Sequence, residues 1–395
     1  MQNILVLNFF PTINPPNTGG TIRYFNIYYE LSKFYDITLL SQKYTPDVES
    51  LYYSNTFKEI KIPTDNTQNE IDRRLIKEKI GPRFSTHAAL SCALIDEPPP
   101  LFLHYYTKFY KDSSIIIHES PFMLKYDVNF GKDNKMRIYN SHNHESEFAK
   151  HVWYGRRSSS YVKQVTLMER TLVNNVSIVF ATSIEDKKSF VNTFEVDPEK
   201  IKLAPNGVNP KNWIKRKSNK LDRPKISALF IGSLHQPNIE IVEYILSELA
   251  VKCTEVEFII AGECGNEFSN IARPNVKILG EINNFEKIKL FSEVDVAINP
   301  AFFGTGTKIK TLEFLSAGIP LISTEIGVKG MNLQKEKHYF HAIHENFAHV
   351  LMEVSRNSNL LEYVALEGQR YINNKYSWEV VAANIRDNIN ESIKG

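Results

Sequence analysis

The chain has 395 residues, 42% of them hydrophobic and 23% charged, and a formal net charge of +2. This length exceeds that of a typical single core and favours two domains. The near-neutral charge argues against an electrostatically driven nucleic-acid binder. The cysteines are widely spaced and form no Cys-x-x-Cys pair, which indicates a reducing compartment and no structural zinc; they are Cys92, Cys253 and Cys264.

The N-terminal segment Met1-Gln-Asn-Ile-Leu-Val-Leu lacks a basic stretch and meets prolines soon after. It therefore predicts a first strand rather than a signal peptide. No apolar run approaches the roughly 18–20 residues that span a bilayer. We expect a cytoplasmic protein, with peripheral contact to the inner face of the plasma membrane left open.

A strand is predicted over Ile4–Asn8, followed by a Pro/Gly loop over 10–20 and a helix from Thr21 to about Phe34. Gly19 and Gly20 lie between strand and helix, where backbone N–H groups can approach a ligand closely. Arg23 lies one turn into the helix, within reach of a phosphate. A plain connector and an ordinary surface arginine are the alternatives.

The region from Asp47 to Phe109 gives no clear pattern, apart from a basic amphipathic segment over 73–80 and a mixed aromatic and basic one over 105–111. Such residues suit a membrane-surface acceptor, but a solvated helix face explains them more simply. Strands follow over Ile115–His118 and Arg137–Asn140. The second leads into His142-Asn-His-Glu. A metal site is discounted there because no further His/Cys cluster lies nearby.

In the second half, residues 209–224 form a polar and basic linker. Alternating strands and helices follow, and the predicted strands are Ile226–Ile231, Val256–Ala261, Val276–Leu279 and Val294–Ile298. Short turns after these strands contain Gly232-Ser233 and Gly280-Glu281-Ile282.

Residues 294–324 predict a strand, a Gly-rich loop, a helix over about Lys308–Ala317 and another strand, with Gly318 as the helix stop. Helix N-termini carry unpaired N–H groups and partial positive charge. With Lys308 and Lys310 in the first turn, the expected guest is an anion such as phosphate. Glu313 lies about 7.5 Å further along the axis and could bind a sugar hydroxyl. An ordinary loop and a solvated helix face remain the alternative.

The string Leu312-Glu-Phe-Leu-Ser-Ala-Gly-Ile-Pro-Leu-Ile322 resembles the donor-binding signature LEAMAxGxPVV of retaining GT-B glycosyltransferases of family four, the glycosyl transferases group 1. That family usually has two glutamates eight positions apart, and the first falls on Thr305. The variant GTGTKIKTLE indicates a subgroup without it. Further resemblances lie at 141–147 (the family's HNxES), 204–208, 232–235 and 376–379.

The resemblance implies an α/β, GT-B fold: two doubly wound Rossmann-like domains facing a cleft, with a C-terminal helix crossing back to the first. Residues 1–208, with helix 376–395, would bind the acceptor. Residues 209–224 would be the linker, and residues 225–375 would bind the nucleotide-sugar.

By the same resemblance, His142 would contact the donor sugar, Lys308 would stabilise the diphosphate and Glu313 would hold the ribose; His118 is a second histidine candidate. The turn over residues 232–235 resembles the family's first phosphate-binding turn. Ser233 replaces the family's arginine there, and the family's lysine is missing. Lys308 would supply the missing positive charge. The full donor set is Gly19, Gly20, Arg23, Gly232, Ser233, Gly280, Glu281, Ile282, Gly304, Thr305, Gly306, Thr307, Lys308 and Glu313.

The implied reaction is metal-independent transfer of a sugar, with retention, from a nucleotide diphospho-sugar to a glycan or lipid-linked hydroxyl. The family's common donor is a uridine diphospho-sugar. The donor is a substrate, and no cofactor is expected. Surface polysaccharide or lipopolysaccharide synthesis is the implied setting. A catalytically degenerate nucleotide-sugar binder or accessory subunit is the main alternative, and a nucleotide-sugar epimerase a weaker one.

Overall fold

The structure, a computed structural model, describes residues 1–13, 15–16, 19–81, 85–214, 225–271, 273–303 and 307–394. The chain forms two compact units. Unit 1 is Met1–Pro205 with Val381–Gly395, and unit 2 is Asn206–Val380. Most of the predicted linker, residues 215–224, lies outside the described residues, as do Gly304, Thr305 and Gly306 of the predicted donor loop.

Unit 1 is built on a sheet with the strand order β3-β4-β2-β1-β5-β6-β7-β8. Its neighbouring strands are parallel, except that β3 pairs with β4 in the antiparallel sense. The strands are β1 Gln2–Asn8, β2 Tyr35–Lys43, β3 Glu49–Ser54, β4 Phe57–Pro63, β5 Ile115–His118, β6 Met136–Asn140, β7 Ile178–Ala181 and β8 Ile201–Leu203. The helices are α1 Gly19–Leu31, α2 Asn66–Glu78, α3 Ser85–Leu94, α4 Pro100–Tyr110, α5 Glu145–Val152, α6 Ser158–Asn175 and α7 Ile184–Phe194.

The apolar runs of the central strands predict that these strands are buried, because a parallel sheet covered on both faces leaves no polar side. Ile4–Leu7 of β1 and Ile115–Ile117 of β5 are buried. The strand predicted over Ile115–His118 is confirmed. Helix α1 begins at Gly19 and ends at Leu31, earlier at both ends than predicted, and Phe34 is exposed.

Unit 2 contains an all-parallel sheet with the order β11-β10-β9-β12-β13-β14. Its strands are β9 Ile226–Ile231, β10 Val256–Ala261, β11 Val276–Gly280, β12 Val296–Asn299, β13 Leu321–Ser323 and β14 Phe340–His341. Its helices are α8 Gln236–Tyr244, continued by a π-helical turn over Ile245–Leu249 and by α9 Ala250–Lys252, then α10 Asn284–Glu293, α11 Ile309–Ser316, α12 Phe347–Ser355 and α13 Ser358–Lys375. The last helix, α14 Trp378–Lys394, begins in unit 2 and ends in unit 1.

Both sheets have the doubly wound arrangement in which the chain starts near the middle and reverses direction once. In unit 2 the reversal separates β9 from β12, and in unit 1 it separates β1 from β5. Loops leaving the two strands at such a switch point diverge, so a crevice opens outside the strand carboxyl ends, where ligands of open α/β sheets bind. The fold thus directs attention to two places, one in each unit.

Candidate functional site

The switch point of unit 2 is flanked by the starts of two helices. Helix α8 follows β9, and α11 follows β12. Their N-caps are His235 and Lys308, and no described side chain caps either helix. In α8 only the Gln236 N–H can face an anion, because Pro237 has no N–H and the Asn238 N–H donates to the His235 carbonyl over 2.8 Å. In α11 the Ile309 and Lys310 N–H groups come before the first intrahelical donor, Thr311. The partial positive charge of both helix ends also favours an anion.

Helix α11 is fixed at both ends. At its start, the Asn206 backbone N–H donates to Thr307 Oγ1 over 3.2 Å, and the Asn206 side chain donates to the Thr307 carbonyl over 3.0 Å. At its end, the Gly318 N–H donates to Leu315 and the Ile319 N–H to Phe314, which completes a Schellman motif. Gly318 has φ +73°, as the predicted helix stop requires. The lysines of the first turn are thus carried by an element with little freedom.

Lys310 reaches across the switch point from α11 to α8. Its Nζ donates to Asn238 Oδ1 over 2.7 Å and lies 4.2 Å from the ring centroid of Phe230 on β9. The Asn238 side chain in turn donates to the Ser233 carbonyl over 2.9 Å. Burial lowers the pKa of the Lys310 amine to about 7, and the neighbouring charge of Lys308 adds to this.

The turns after β9 and β10 press against each other at the same edge. A methyl group at Gly262 would lie 2.2 Å from the Gly232 carbonyl oxygen, and Gly262 itself has φ +91°. The Gly262 N–H donates to the Gly280 carbonyl over 2.6 Å, which joins the turn after β11 to this edge. The turn that contains Gly262 therefore brings the predicted Gly232 and Gly280 turns together.

Glu313 lies on α11 and forms an ion pair with Lys287 of α10, at 2.6 Å between Nζ and Oε1. Its side chain is 15% exposed. Lys287 also lies 5.8 Å from the ring centroid of Trp213, which stacks on Phe291. The ion pair fixes one carboxylate oxygen of Glu313. Glu281 and Ile282 lie in the segment that links β11 to α10, the helix that carries Lys287.

At the switch point of unit 1, a buried carboxylate organises the side chains. Glu119 directly follows β5 and is fully buried. Its Oε1 accepts hydrogen bonds from Tyr28 Oη and from Asn140 Nδ2, the latter over 2.7 Å. Its Oε2 lies 2.8 Å from Nε2 of His142, which follows β6. A carboxylate can only accept, so Nε2 carries the hydrogen, and Nδ1 of the neutral ring is left as an acceptor.

The other nitrogen of His142 faces the start of α1. A methyl group at Gly20 would lie 3.8 Å from Nδ1 of His142 and 3.3 Å from the Phe10 ring. The His142 side chain keeps 12% of its surface exposed. The predicted Gly20 and His142 are therefore neighbours, and Gly19 is the first residue of α1.

Arg23 lies inside unit 1, with 1% of its surface exposed. Its Nη2 donates to Asn140 Oδ1 over 3.1 Å. Burial lowers its pKa to about 10, and the charge of Glu119 opposes that effect. The Arg23 side chain is thus buried and bonded to Asn140, the residue that also donates to Glu119. This differs from the surface position that we considered for it.

The remaining histidines of this region have different surroundings. His118 is fully buried, 3.2 Å from Asp127, which also pairs with Arg137. His144 stacks on Phe190 and contacts Ser189 Oγ at 2.6 Å through Nδ1. His142 and His144 therefore do not converge on a common point.

The side chain of Glu169, on α6, holds the start of α5 in place. Glu169 accepts the backbone N–H groups of Glu145 and Ser146. Burial, and then the charge of Glu169, raises the pKa of Glu145 to about 8. These contacts fix α5, the helix that begins three residues after His142.

Sequence reasoning missed Glu119 as the partner of His142 and Lys287 as the partner of Glu313. A signal for the first exists, since a carboxylate directly after the apolar strand Ile115–His118 has to be satisfied or used. The second depends on how two helices approach each other, for which the sequence gives no signal.

Residues 225–356 match the family model of the glycosyl transferases group 1. An uncharacterized 44.6 kDa protein of the cps region of Klebsiella pneumoniae is 22% identical over 293 residues, which cover 70% of this chain and 74% of that protein.

Solved structures of similar fold include sucrose-phosphate synthase of Thermosynechococcus elongatus, with a TM-score of 0.69, 12% identity and full coverage of both chains. HepE of Anabaena in complex with UDP-glucose gives a TM-score of 0.66 at 12% identity, over 99% of this chain and 100% of that one. WaaG, a glycosyltransferase involved in lipopolysaccharide biosynthesis, gives 0.65 at 15% identity, over 98% and 99% of the two chains. The chain therefore has the GT-B fold, and its second unit matches the glycosyl transferases group 1.

Proposed function

We propose that this chain transfers a sugar from a nucleotide diphospho-sugar to a hydroxyl group of an acceptor. The observation that carries the proposal is the unit 2 switch point, where two helices without a described side-chain cap and two lysines converge. This arrangement lies within the residues that match the glycosyl transferases group 1. It offers positive charge where a diphosphate leaving group would develop negative charge.

Within this proposal, α11 binds the donor along its length. The diphosphate lies at the start of the helix near Thr307 and Lys308, and the ribose hydroxyls bind the Glu313 oxygen that Lys287 does not hold. The Gly280–Ile282 turn receives the base. Gly304, Thr305 and Gly306 complete the loop in the sequence hypothesis and lie outside the described residues.

In unit 1 we assign His142 to the donor sugar or the acceptor hydroxyl. With Nε2 held by Glu119, its Nδ1 can accept a hydrogen bond from a sugar hydroxyl. We propose transfer with retention: the bond from the anomeric carbon to phosphate breaks, the bond to the acceptor oxygen forms on the same face, and the departing phosphate oxygen takes the acceptor proton. Lysines and helix ends, rather than a metal ion, then neutralise the diphosphate.

We propose a uridine diphospho-sugar as donor and a surface polysaccharide or lipopolysaccharide intermediate as acceptor. HepE has been solved in complex with UDP-glucose, WaaG is involved in lipopolysaccharide biosynthesis, and the Klebsiella pneumoniae relative is a protein of the cps region. These similarities support the donor and acceptor classes that we propose for this chain.

A lipid-linked acceptor is further supported by a basic patch on unit 1, defined as Arg73, Arg74, Ile76, Lys77, Tyr154 and Arg156. All six residues are exposed, Tyr154 to 61% and Ile76 to 48%. Gly81 N–H donates to the Tyr154 carbonyl over 3.0 Å, which brings the loop after α5 to the end of α2. No helix in the described part of the chain is long and apolar enough to cross a membrane. We propose peripheral contact through the basic patch.

The proposal is tested by titrating the protein with UDP and GDP by calorimetry, comparing wild type with Glu313→Ala. We expect one nucleotide to bind and the variant to bind roughly 10- to 100-fold more weakly, as for loss of hydrogen bonds to a charged group. Glu325→Ala is the matched control, since that carboxylate is 67% exposed and pairs only with surface groups among the described residues.

Failure of wild type to bind either nucleotide would reject the donor site. Binding without any hydrolysis of a UDP-sugar, with or without an acceptor extract, would instead favour the non-catalytic binder.

A further inference from the structure

The first phosphate turn of unit 2 lacks the two basic residues that the family resemblance leads one to expect, because Ser233 occupies one position and Ile239 and Glu240 lie near the other. The sequence suggested Lys308 as the substitute. In the structure Lys310 reaches this turn, through its 2.7 Å contact with Asn238 of α8.

We propose that Lys310 is the cation of this phosphate turn, and that it takes up a proton when the diphosphate of the donor binds. The inference rests on the proposed function and deepens it, because it names the residue that recognises the diphosphate and couples recognition to protonation.

The geometry provides the reason. Nζ of Lys310 lies between the Asn238 amide oxygen and the face of Phe230, at the strand edge where the uncapped α8 begins. No carboxylate among the described residues comes within ion-pair distance of it. The amide oxygen and the ring face both favour an ammonium, but with no described carboxylate beside it the desolvation of the buried amine outweighs them, so the charged form is disfavoured until an anion arrives.

The groups that face Lys310 agree with this account. Lys308 on the same helix repels it, and the Cys264 thiol, whose pKa is raised to about 11, is neutral at physiological pH. His235, the N-cap of α8, has its pKa lowered by burial and then by the charge of Lys310. The pKa of Lys310 itself, about 7, means that the free protein holds it largely as the neutral amine at pH 8.

Bound diphosphate would raise that pKa, so binding takes up a proton in the interval between the two values. The sign follows from linkage: because the complex binds more protons than the free protein, affinity falls as pH rises above about 7. The expected slope approaches a tenfold loss of affinity per pH unit, until the pH reaches the pKa of the complex.

The experiment is calorimetric titration with UDP at pH 8 in two buffers of different ionisation enthalpy, which gives the number of protons taken up. We expect roughly 0.9 proton for wild type, since a group one unit below the pH is about nine-tenths neutral. Lys310→Met should abolish the uptake and weaken binding roughly 10- to 100-fold. Lys310→Arg should bind with no uptake and with affinity independent of pH, because arginine is always charged.

His235→Gln and Lys308→Met are the controls that separate Lys310 from its neighbours. Both should retain proton uptake, whatever happens to their affinity, although Lys308→Met should take up less at pH 8 because loss of its charge raises the pKa of Lys310. UDP binding to wild type without proton uptake would overturn the role of Lys310 and leave the proposed function standing. Loss of the uptake in His235→Gln would also overturn it, by assigning the proton to the histidine. Failure of UDP to bind wild type would reject the uridine donor and this inference together.

Discussion

At the scale of single residues, the Glu119–His142 pair decides what unit 1 can contribute chemically. The buried carboxylate contacts one ring nitrogen at 2.8 Å and accepts hydrogen bonds from Tyr28 and Asn140 on its other oxygen. In the proposed function Glu119 is a positioning residue, since it sets which nitrogen of His142 would meet a substrate hydroxyl.

We expect His142→Ala to lower kcat/KM by about 100-fold, as for removal of one preorganised polar group at a reacting centre. Glu119→Gln should reproduce most of that loss, because the amide cannot accept from all three neighbours at once. In the double variant the two losses should not add, since the second change removes a group that the first has already made ineffective.

Tyr28→Phe is the control, because it removes one hydrogen bond to Glu119 and leaves the contact with His142. Its kcat/KM should stay within about threefold of wild type, since Glu119 Oε1 keeps its bond from Asn140 and Oε2 keeps its contact with His142. Fully additive losses in the double variant would show that Glu119 acts on folding alone, and thermal unfolding of all four variants would verify it.

At the scale of the elements, the edge of the unit 2 sheet depends on how closely three turns approach one another. Gly262 has φ +91° and ψ 170°, a region open almost only to glycine. A side chain there would meet the Gly232 carbonyl oxygen at 2.2 Å, and backbone cannot move aside as a flexible side chain can. The contact between the turns after β9 and β10 therefore requires glycine.

We expect Gly262→Ala to destabilise unit 2 by clearly more than the roughly 1–2 kcal/mol that left-handed backbone alone costs an L-residue. Gly131→Ala is the matched control, since Gly131 has φ +72° and no atom within 4 Å of the added methyl. Thermal unfolding of both variants makes the comparison. Equal losses of stability in the two variants would mean that the backbone at Gly232 shifts to make room for the added methyl group.

At the scale of the whole molecule, the net charge of +2 gives little general attraction to an anionic surface. The membrane contact that we propose therefore depends on a local concentration of charge, and the basic patch on unit 1 provides one. Exposed Tyr154 and Ile76 add apolar area among its cations.

We expect the protein to sediment with vesicles that contain phosphatidylglycerol and to remain in solution with neutral ones. Arg73→Gln with Lys77→Gln should weaken binding roughly 30-fold, at about 1 kcal/mol for each charge near the surface. Lys132→Gln with Lys188→Gln removes two exposed charges of unit 1 from outside the patch and should change little. Equal weakening by the two pairs would argue against a local patch.

The sequence alone determined most of the strands and the class of the fold. The central strands of both sheets are apolar runs with turn residues after them, so Ile115–His118, Ile226–Ile231 and Val256–Ala261 are confirmed without a change of bounds. Local signals of this kind depend on neighbours in the chain. The region between residues 45 and 110 was not assigned from the sequence, although α2 buries Ile71 and Leu75, one helical turn apart, in the core of unit 1.

Only the tertiary structure decided which side chains meet. Glu119 and His142 are 23 residues apart, Lys287 and Glu313 are 26 apart, and Lys310 and Asn238 are 72 apart. The first and third pairs form because parallel strands bring the ends of distant segments to one edge of a sheet, and the second forms because α10 and α11 pack side by side. Spacing along the chain carries no record of such an approach. The sequence therefore predicted loops that could bind an anion, and the fold decided that Lys310 contacts Asn238 and that Arg23 lies in the core.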